Sequence, residues 1–456
     1  MSDRDPEDAE KKAQRPGVTT IETVCVDDDA TPFGTFQSHN QKVVSNRNGI
    51  FMVHLRSRNE AYTAQQWRLS RSTDGGRTFE TAYEATDATN PPVLETDEGD
   101  NIYLVRPDFV DRNAYLYRFR AEDGYSRPAI SMIPNGSAGK YCMAYDRERS
   151  QLYYFAHNNT FHVVGLDGAV RRSVTLLQKG EDATLQYPHL YLDRDGTLHA
   201  AWTTTHYPPP SDPRRYIYRD IHTMQSRDGG ETWQTMGGTP LSVPVVADCT
   251  GSTDRITPGG EQDLHTWLSS FMSKDGKVHF TYQANFSVPP RERPGGGHPD
   301  GKVHSVHPAS LTSPIQHYTR YDLDMAKRDR DVYPEFKGER IFVRDSSAFF
   351  ATRSREPGSP LYCVTADEER ITCLASEDNG ETWRDYAVSE AAFPPCGQGS
   401  RIYAIGGCRE VTQDGYILGS FTHRVFDPAD SATGKDTRFV RSHIYFIRLK
   451  ADLSGR

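Results

Sequence analysis

Histidine, arginine and tyrosine recur where the alternating apolar segments of this sequence begin or end. Imidazole and phenol groups exchange protons near neutral pH, and a guanidinium can bind a carboxylate through two parallel hydrogen bonds. Together they could remove a proton, protonate a leaving group and neutralise an acid. The residues we assign to catalysis are His39, His189, Tyr207 and Arg219. The residues we assign to substrate binding are Asn40, Gln41, Arg56, His206, His222, His265, Arg401 and Arg424.

Within this set, the residue types suggest different tasks. Arg219 and Arg56 are the candidates to bind a carboxylate, with His39 and Gln41 expected beside them. The further acid–base candidates are His189, His206 and Tyr207. The plain alternative is that strand ends are polar anyway and that 16 histidines must lie somewhere. For the whole set, a shared site is the favoured interpretation.

Three short polar turns, each directly before a large aromatic residue, indicate how the supporting elements are built. They read STDGGRTF from Ser72, SRDGGETW from Ser226 and SEDNGETW from Ser376. The Asp carboxylate can accept hydrogen bonds from backbone N–H groups, and Gly permits the positive φ of a tight turn. We therefore interpret the three aspartates as structural rather than catalytic.

The spacing of these turns predicts a repeated unit. They lie about 150 residues apart, which is three units of about 50 residues each. Seven units can be counted, each with strands rich in Tyr, Phe, Val, Ile and Thr bounded by Gly, Asp or Asn. The last has only three strands, and a spare strand at residues 18–28 would complete it. The sequence predicts an all-β, seven-bladed β-propeller of four-stranded antiparallel blades, closed by the N-terminal strand. Six blades with an accessory sheet is the alternative.

Sheet connectivity predicts where the candidate residues meet. In a four-stranded antiparallel blade, the first and third connections share one face, and the Ser-Asp-Gly turns are third connections. The candidate side chains come from starts of first strands, ends of second strands and the start of one third strand. They are therefore expected on one rim, opposite the Ser-Asp-Gly turns.

The chain ends and insertions complete the predicted organisation. Residues 1–17 are mostly charged or polar and lack an apolar run, so we expect a disordered leader followed by a single propeller domain over 18–456. Without a signal peptide, the expected location is cytoplasmic if the chain is complete, and otherwise secreted or periplasmic. Insertions rich in Pro and Gly near 236–264 and 286–312 are expected to be loops on blades.

Composition argues against several classes of function. The net charge is −9 and the basic residues are scattered, which disfavours nucleic-acid binding. No run approaches the roughly 20 apolar residues of a membrane helix. The seven cysteines have no CxxC spacing and indicate reduced thiols, and no zinc spacing is evident. We expect no cofactor or bound metal, although a divalent ion bridging a substrate carboxylate is left open.

The Ser-x-Asp-x-Gly-x-Thr-Trp turn resembles the Asp box, or BNR repeat, of sialidase-superfamily propellers. With seven units and the segments SHNQKVV, YPH and YRDIHTMQSRDGGETW, the chain is similar to BNR-type propeller polysaccharide lyases. That group includes ulvan lyases and rhamnose–glucuronate lyases. The resemblance implies a His, Tyr and Arg site that cleaves an acidic, uronate-containing oligo- or polysaccharide by β-elimination. It implies neither a nucleic-acid nor a membrane partner.

Two other functions stay open. A sialidase-like exo-glycoside hydrolase could assemble an arginine clamp from Arg56, Arg219, Arg401 or Arg424. The Phe/Tyr-Arg-Ile-Pro motif and the Tyr–Glu nucleophile pair of that family are not evident. A non-catalytic propeller that binds a glycan or a protein is the second alternative, because a fold does not dictate an activity.

Overall fold

The protein is all-β in a computed structural model. The model describes residues 18–452 apart from 63, 89, 181–182, 207–216, 248–251, 257–265, 285–314, 323–326, 333–334, 337–338, 341–347, 355, 367–368, 394–401 and 426–440. The secondary structure of the described residues consists of strands without a helix. None of these residues therefore forms a helix that could span a membrane.

The strands form successive groups, here called sheets 1 to 7, in which most strands adjacent in sequence pair antiparallel. Pairing of Thr19–Ala30 with strands of the first, sixth and seventh groups joins these three into one 12-stranded sheet. Sheet 1 contains Val43–Asn46, Gly49–Ser57, Gln65–Ser72 and Glu80–Ala85. Sheet 2 contains Val93–Thr96, Ile102–Pro107, Ala114–Phe119 and Ala129–Ile133. Sheet 3 contains Tyr141–Asp146, Gln151–Ala156, Thr160–Gly165 and Val170–Thr175. Sheet 4 contains Ala183–Leu192, Leu198–His206, Ile217–Ser226, Trp233–Gln234, Pro240–Leu241 and Asp254–Arg255.

The second half of the chain repeats this order. Sheet 5 contains Thr266–Lys274, Lys277–Ala284, Ile315–Asp322 and Lys327–Val332. Sheet 6 contains Phe349–Thr352, Leu361–Ala366, Ile371–Ser376 and Arg384–Ser389. Sheet 7 contains Ile402–Gly407, Tyr416–Arg424, Ser442–Lys450 and the N-terminal strand Thr19–Ala30. Two small ladders pair Leu177–Gln178 with Val245–Val246 and Glu335–Phe336 with Glu339–Arg340.

In sheet 3 the last strand is less buried than the three strands before it. Gln151–Ala156 is buried along nearly its whole length, whereas Val170–Thr175 alternates between half-buried and exposed residues. A strand covered on both faces must be apolar throughout, and an outer strand needs only one apolar face. The sequence therefore contains both continuously apolar segments, from strands covered on both faces, and alternating segments, from outer strands.

The Ser-Asp-Gly turns are held by their own side chains, as the sequence predicted. In the turn at Asp228, Ser226 Oγ donates to Asp228 Oδ1 at 2.8 Å, and Thr232 Oγ1 donates to Asp228 Oδ2 at 2.6 Å. The aromatic residue that follows packs on the preceding sheet, with Trp233 edge-on to Phe161 at 5.6 Å between ring centroids. These turns therefore lock neighbouring sheets together.

The prediction that an N-terminal strand completes the last sheet is confirmed. Thr19–Ala30 pairs antiparallel with Ser442–Lys450, from Ile21 opposite Leu449 to Ala30 opposite Ser442. The same strand also pairs in parallel with Arg384–Ser389 of sheet 6. Residues from the two ends of the chain thus pair in one ladder. The two sets of backbone pairing together fix the position of the N-terminal strand.

Residues 31–42, here called the central loop, follow this strand and are anchored first on sheet 7. The backbone N–H of Thr35 donates to Thr422 Oγ1 at 2.9 Å, and its hydroxyl donates to the carbonyl oxygen of Ala404 at 3.2 Å. The backbone of Ser38 in the loop lies close to the backbone of Gly406, where a Cβ would be 2.6 Å from the carbonyl oxygen of Ser38. The absence of a side chain at Gly406 permits this approach.

The central loop is anchored next on the residues that open sheet 3. Gln37 Nε2 donates to the carbonyl oxygen of Gly139 at 3.0 Å, and the backbone N–H of Tyr141 donates to Gln37 Oε1 at 3.0 Å. The sequence placed His39 at the start of the first strand. In the structure that strand begins at Val43, and His39 lies in the loop. Long-range hydrogen bonds, which no local pattern reveals, set this path.

The contact at Gly406 generates a prediction. Gly406→Ala should lower the free energy of unfolding by about 1–3 kcal/mol, because the added methyl group must displace the backbone at Ser38. Gly139→Ala is the matched control, since a Cβ at Gly139 would meet nothing within 4 Å. Chemical denaturation measures both variants. Equal losses, or none at Gly406, would contradict the proposed anchoring.

Candidate active site

Irregularities in the first strands of several sheets shape the centre of the site. In sheet 4 the pairing register shifts between Gln186 and His189, and Tyr187 between them has a φ of 49°. In sheet 7 the register shifts between Tyr403 and Gly406, and the intervening Ala404 has a φ of 52°. An extra residue in one strand bends it and redirects its side chains. Positive φ at non-glycine residues is strained and is concentrated at functional sites in proteins.

Two catalytic candidates from the sequence, His39 and His189, are in direct contact. Their imidazole rings stack with centroids 4.2 Å apart and an interplanar angle of 24°. Their exposed fractions are 8% for His39 and 3% for His189. The central loop supplies one ring and the bulged strand of sheet 4 supplies the other, so residues 150 positions apart in sequence form one unit.

Hydrogen bonds to backbone carbonyl groups define which nitrogen of each ring carries hydrogen. His39 Nε2 lies 3.3 Å from the carbonyl oxygen of Tyr141, which can only accept, so Nε2 is the donor and Nδ1 is the basic nitrogen of the neutral ring. His189 is bonded to the backbone of Leu268 in sheet 5, and its buried Nε2 has no hydrogen-bond partner in the described part of the chain. The pair thus links sheets 3, 4 and 5.

Burial keeps both imidazoles neutral. It lowers the pKa of His39 well below the ordinary value, and the nearby cation of Lys42 acts in the same direction. Burial also lowers the pKa of His189, followed by the effects of His39 and Arg409. A neutral imidazole can accept a proton, and stacking disfavours a second charge on the partner ring. Both rings are therefore unprotonated at neutral pH, which is the state from which a general base acts.

Two phenols stand beside the histidine pair. The ring of Tyr187 meets that of His39 edge-on at 5.9 Å between centroids. Tyr187 also meets Tyr218 edge-on at 5.4 Å, with their hydroxyl oxygens 3.5 Å apart. Both side chains are largely buried. A phenol next to an imidazole can return a proton to a leaving group.

An aromatic wall extends from these phenols to sheet 7. Phe36 of the central loop packs on Tyr187 and Tyr218, and it stacks parallel to Tyr403 at 6.2 Å. The predicted binding residue Arg424 joins this wall, with its guanidinium carbon 3.7 Å from the centroid of the Tyr403 ring. Tyr187, Tyr218 and Tyr403 are largely buried, so the half-buried Phe36 and Arg424 are the parts of this wall nearest to solvent.

Lys140 and the pair formed by Gln186 and His157 are further polar groups near Tyr187. Lys140 Nζ is 4.9 Å from the centroid of the Tyr187 ring, and burial lowers the pKa of this lysine to about 8. Gln186 Nε2 donates to His157 Nε2 at 2.9 Å. Burial, followed by the charge of Lys140, lowers the pKa of His157 to about 4. The ammonium of Lys140 therefore lies over the Tyr187 ring, and its charge acts on both His157 and His39.

Asn40 and Gln41, predicted to bind substrate, brace the central loop. Asn40 Nδ2 donates to Gln37 Oε1 at 3.3 Å. Gln41 Nε2 donates to Glu95 Oε2 at 3.0 Å and to the carbonyl oxygen of Leu94 at 3.3 Å, which ties the loop to sheet 2. The structure thus brings these residues to the histidine pair through the loop that carries them.

Arg56 lies in a different environment. It forms ion pairs with Asp27 and Asp29 at 3.3 Å each, and Asp29 also accepts the hydroxyl of Tyr62. Arg56, Asp29 and Tyr62 line a surface cavity of about 490 Å³, which is bounded also by Ser57, Arg58, Asn59, Glu60 and Gln66. Burial by itself would raise the pKa of Asp27, but its interactions with His54, the backbone N–H of Asp29 and Arg56 lower it to about 2, so the carboxyl group is ionised.

The remaining predicted residues lie in or beside sheet 4 or outside the described residues. His206 is buried at the end of Leu198–His206, opposite Ala183 and Ile217. His222 stacks on Trp202 at 6.0 Å, and its Nδ1 is 3.1 Å from Thr253 Oγ1. Arg219 belongs to the strand Ile217–Ser226. Tyr207, His265 and Arg401 lie outside the described residues.

The structure adds residues that were not in the predicted set. Tyr187 and Tyr218 occur in the segments YPH and YRD, whose neighbouring residues were chosen. Lys140 directly precedes the first strand of sheet 3, and His39 and Arg401 are predicted from the corresponding position in other units. The start of the third unit therefore carries the same signal for Lys140. In the described part of the chain, no group of three or more His, Cys, Asp or Glu residues could hold a metal ion.

Solved structures of known proteins share this fold. The chain is similar to a PL25 ulvan lyase bound to -[GlcA(1-4)Rha3S]-, with 12% identity, a TM-score of 0.59, and coverage of 89% of this chain and 94% of that chain. It is also similar to the polysaccharide lyase Uly1, with 11% identity, a TM-score of 0.55, and coverage of 95% and 100%. At this identity the likeness establishes the fold. No curated protein sequence gives a significant match.

The family comparison concerns the sequence itself. A model of a BNR repeat-containing family matches residues 52–288, which is just over half of the chain. The matched segment begins in the second strand of sheet 1, extends past the second strand of sheet 5, and includes His189, the tyrosine pair and two of the Ser-Asp-Gly turns. On this match, the chain belongs to the BNR repeat-containing family.

Proposed function

We propose that this protein is a carbohydrate-active lyase that cleaves an acidic, uronate-containing glycan by β-elimination. The observation that carries the proposal is the stacked, neutral pair of His39 and His189 beside a tyrosine pair and a lysine. β-Elimination needs a base, an acid and a group that neutralises the carboxylate. Each of these chemical types is present within one cluster.

His39 is the proposed base. Its Nε2 donates to the carbonyl oxygen of Tyr141, so Nδ1 is free to accept the proton from the carbon next to the uronate carboxyl group. His189 is the more deeply buried of the two residues, and its ring holds the His39 ring in place by stacking on it. As the proton leaves, its electron pair forms a carbon–carbon double bond, and the bond from the neighbouring carbon to the glycosidic oxygen breaks.

Tyr187 is the proposed acid. Its ring contacts that of His39, and Tyr218 lies within reach of its hydroxyl group. The phenol donates its proton to the departing glycosidic oxygen, which completes the balance of the reaction. Tyr207 remains a candidate for the acid from the sequence, in addition to Tyr187. Arg219 remains a candidate from the sequence for the residue that binds the carboxylate.

The substrate class is supported by two further considerations. A PL25 ulvan lyase with a similar fold was solved with a glucuronate–rhamnose sulfate unit bound. The aromatic wall of Phe36 and Tyr403, with Arg424 stacked on it, suits the flat faces of sugar rings and a negative charge. We also propose that sheets 1 to 7 are the seven blades of a closed propeller, in which the N-terminal strand completes the last blade.

The test of this function is product chemistry. Incubation of the protein with a panel of uronate-containing oligosaccharides and polysaccharides should generate an unsaturated uronate, detected by its ultraviolet absorbance and by mass spectrometry. Release of reducing sugar without the double bond would instead indicate a hydrolase. Glycan binding without any cleavage would indicate a non-catalytic propeller.

The role of His39 is tested by substitution. His39→Gln should lower the cleavage rate by about 100-fold or more, because glutamine keeps an N–H for the Tyr141 carbonyl but lacks a basic nitrogen. His199→Gln is the matched control. His199 is also buried, and its Nε2 is bonded to Asp193 near the turn at the far end of its strand. A rate that falls equally in both variants, or in neither, would remove His39 from the chemistry.

A further inference from the structure

Lys140 is a cation without a counter-ion in the described structure. It is half-buried immediately before Tyr141–Asp146, and its Nζ lies over the Tyr187 ring. No carboxylate of the described residues forms an ion pair with it, whereas exposed and half-buried arginines such as Arg47, Arg68 and Arg149 do have acidic partners. A half-buried ammonium without a partner carries a desolvation cost that an anionic ligand would offset.

The position of Lys140 relates it to the proposed base. Lys140 Nζ and the His39 ring both contact the Tyr187 ring, at 4.9 Å and 5.9 Å from its centroid. The charge of Lys140 also acts on His39 and His157. In a uronate, the proton to be removed sits on the carbon that bears the carboxyl group. A cation one aromatic ring away from the base can therefore hold the carboxylate while the base faces the proton.

We propose that Lys140 binds the substrate carboxylate and thereby selects uronate over neutral sugars. This inference rests on the proposed function and specifies the residue that confers its acid specificity. The carboxylate would sit between Lys140 and the amide–imidazole pair of Gln186 and His157. The ammonium is mostly protonated at neutral pH, since its pKa is about 8, and it becomes neutral above that pH.

The experiment compares binding of two probes by calorimetry. The first probe is a glucuronate–rhamnose oligosaccharide, and the second is the same oligosaccharide with its carboxyl groups reduced to alcohols. Lys140→Met should weaken binding of the first probe by about 10- to 100-fold and leave binding of the second unchanged. Lys140→Arg should restore preference for the acidic probe. Lys277→Met, at the turn between the first two strands of sheet 5, is the control and should behave like the wild type.

A pH series provides a second measurement, because a purely structural role of Lys140 would not make the affinity for the acidic probe depend on pH in this way. Wild-type affinity for the acidic probe should fall as the pH rises through about 8, because the ammonium loses its proton there. Lys140→Arg should show no such fall, since a guanidinium stays charged.

The outcomes separate this inference from the proposed function. If the wild type cleaves the acidic probe but Lys140→Met retains full discrimination, the role of Lys140 is overturned and the lyase proposal stands. If binding depends on Lys140 but no cleavage occurs, the role of Lys140 stands and the lyase proposal fails. If the wild type does not distinguish the two probes, the role of Lys140 is overturned.

Discussion

The antiparallel pairing of Thr19–Ala30 with Ser442–Lys450 is the constraint on which the rest of the structure depends. It fixes the point at which the central loop leaves the last sheet. From there, hydrogen bonds to Thr422 and Gly139 carry the loop across to sheet 3. His39 reaches His189 only because both ends of the loop are held in this way. A strand contributed by the opposite end of the chain thus determines where the proposed base lies.

The chemistry of the centre follows from burial. Burial lowers the pKa of both imidazole rings, and neighbouring charges lower it further, so both rings are neutral before the reaction. Lys42 is buried too, and its Nζ has no hydrogen-bond partner in the described part of the chain. Buried polar groups of this kind cost stability, as do the positive φ angles of Gln37, Tyr187 and Ala404. The turns and the packed sheets supply the stability that offsets these costs.

Sequence patterns predicted the scaffold well because its signals are local. Alternation of apolar residues predicted the strands and their order, and the three-strand last unit predicted that the N-terminal strand pairs with it. The site was predicted in part. His39 and His189 were chosen from their positions at strand starts, but their contact depends on the bulge at Tyr187 and on the path of the central loop. Bonds such as that between Thr35 and Thr422 join residues far apart in sequence, and no repeat or periodicity encodes them.

The most direct test of the central claim is a crystal structure of the His39→Gln variant with a glucuronate–rhamnose oligosaccharide bound. The proposed function predicts that the sugar ring lies beside Tyr187, with its carboxylate at Lys140 and the carbon-bound proton facing position 39. It also predicts that the Ser-Asp-Gly turns remain unoccupied. An oligosaccharide bound instead in the cavity lined by Arg56 and Tyr62, with nothing beside His189, would contradict it.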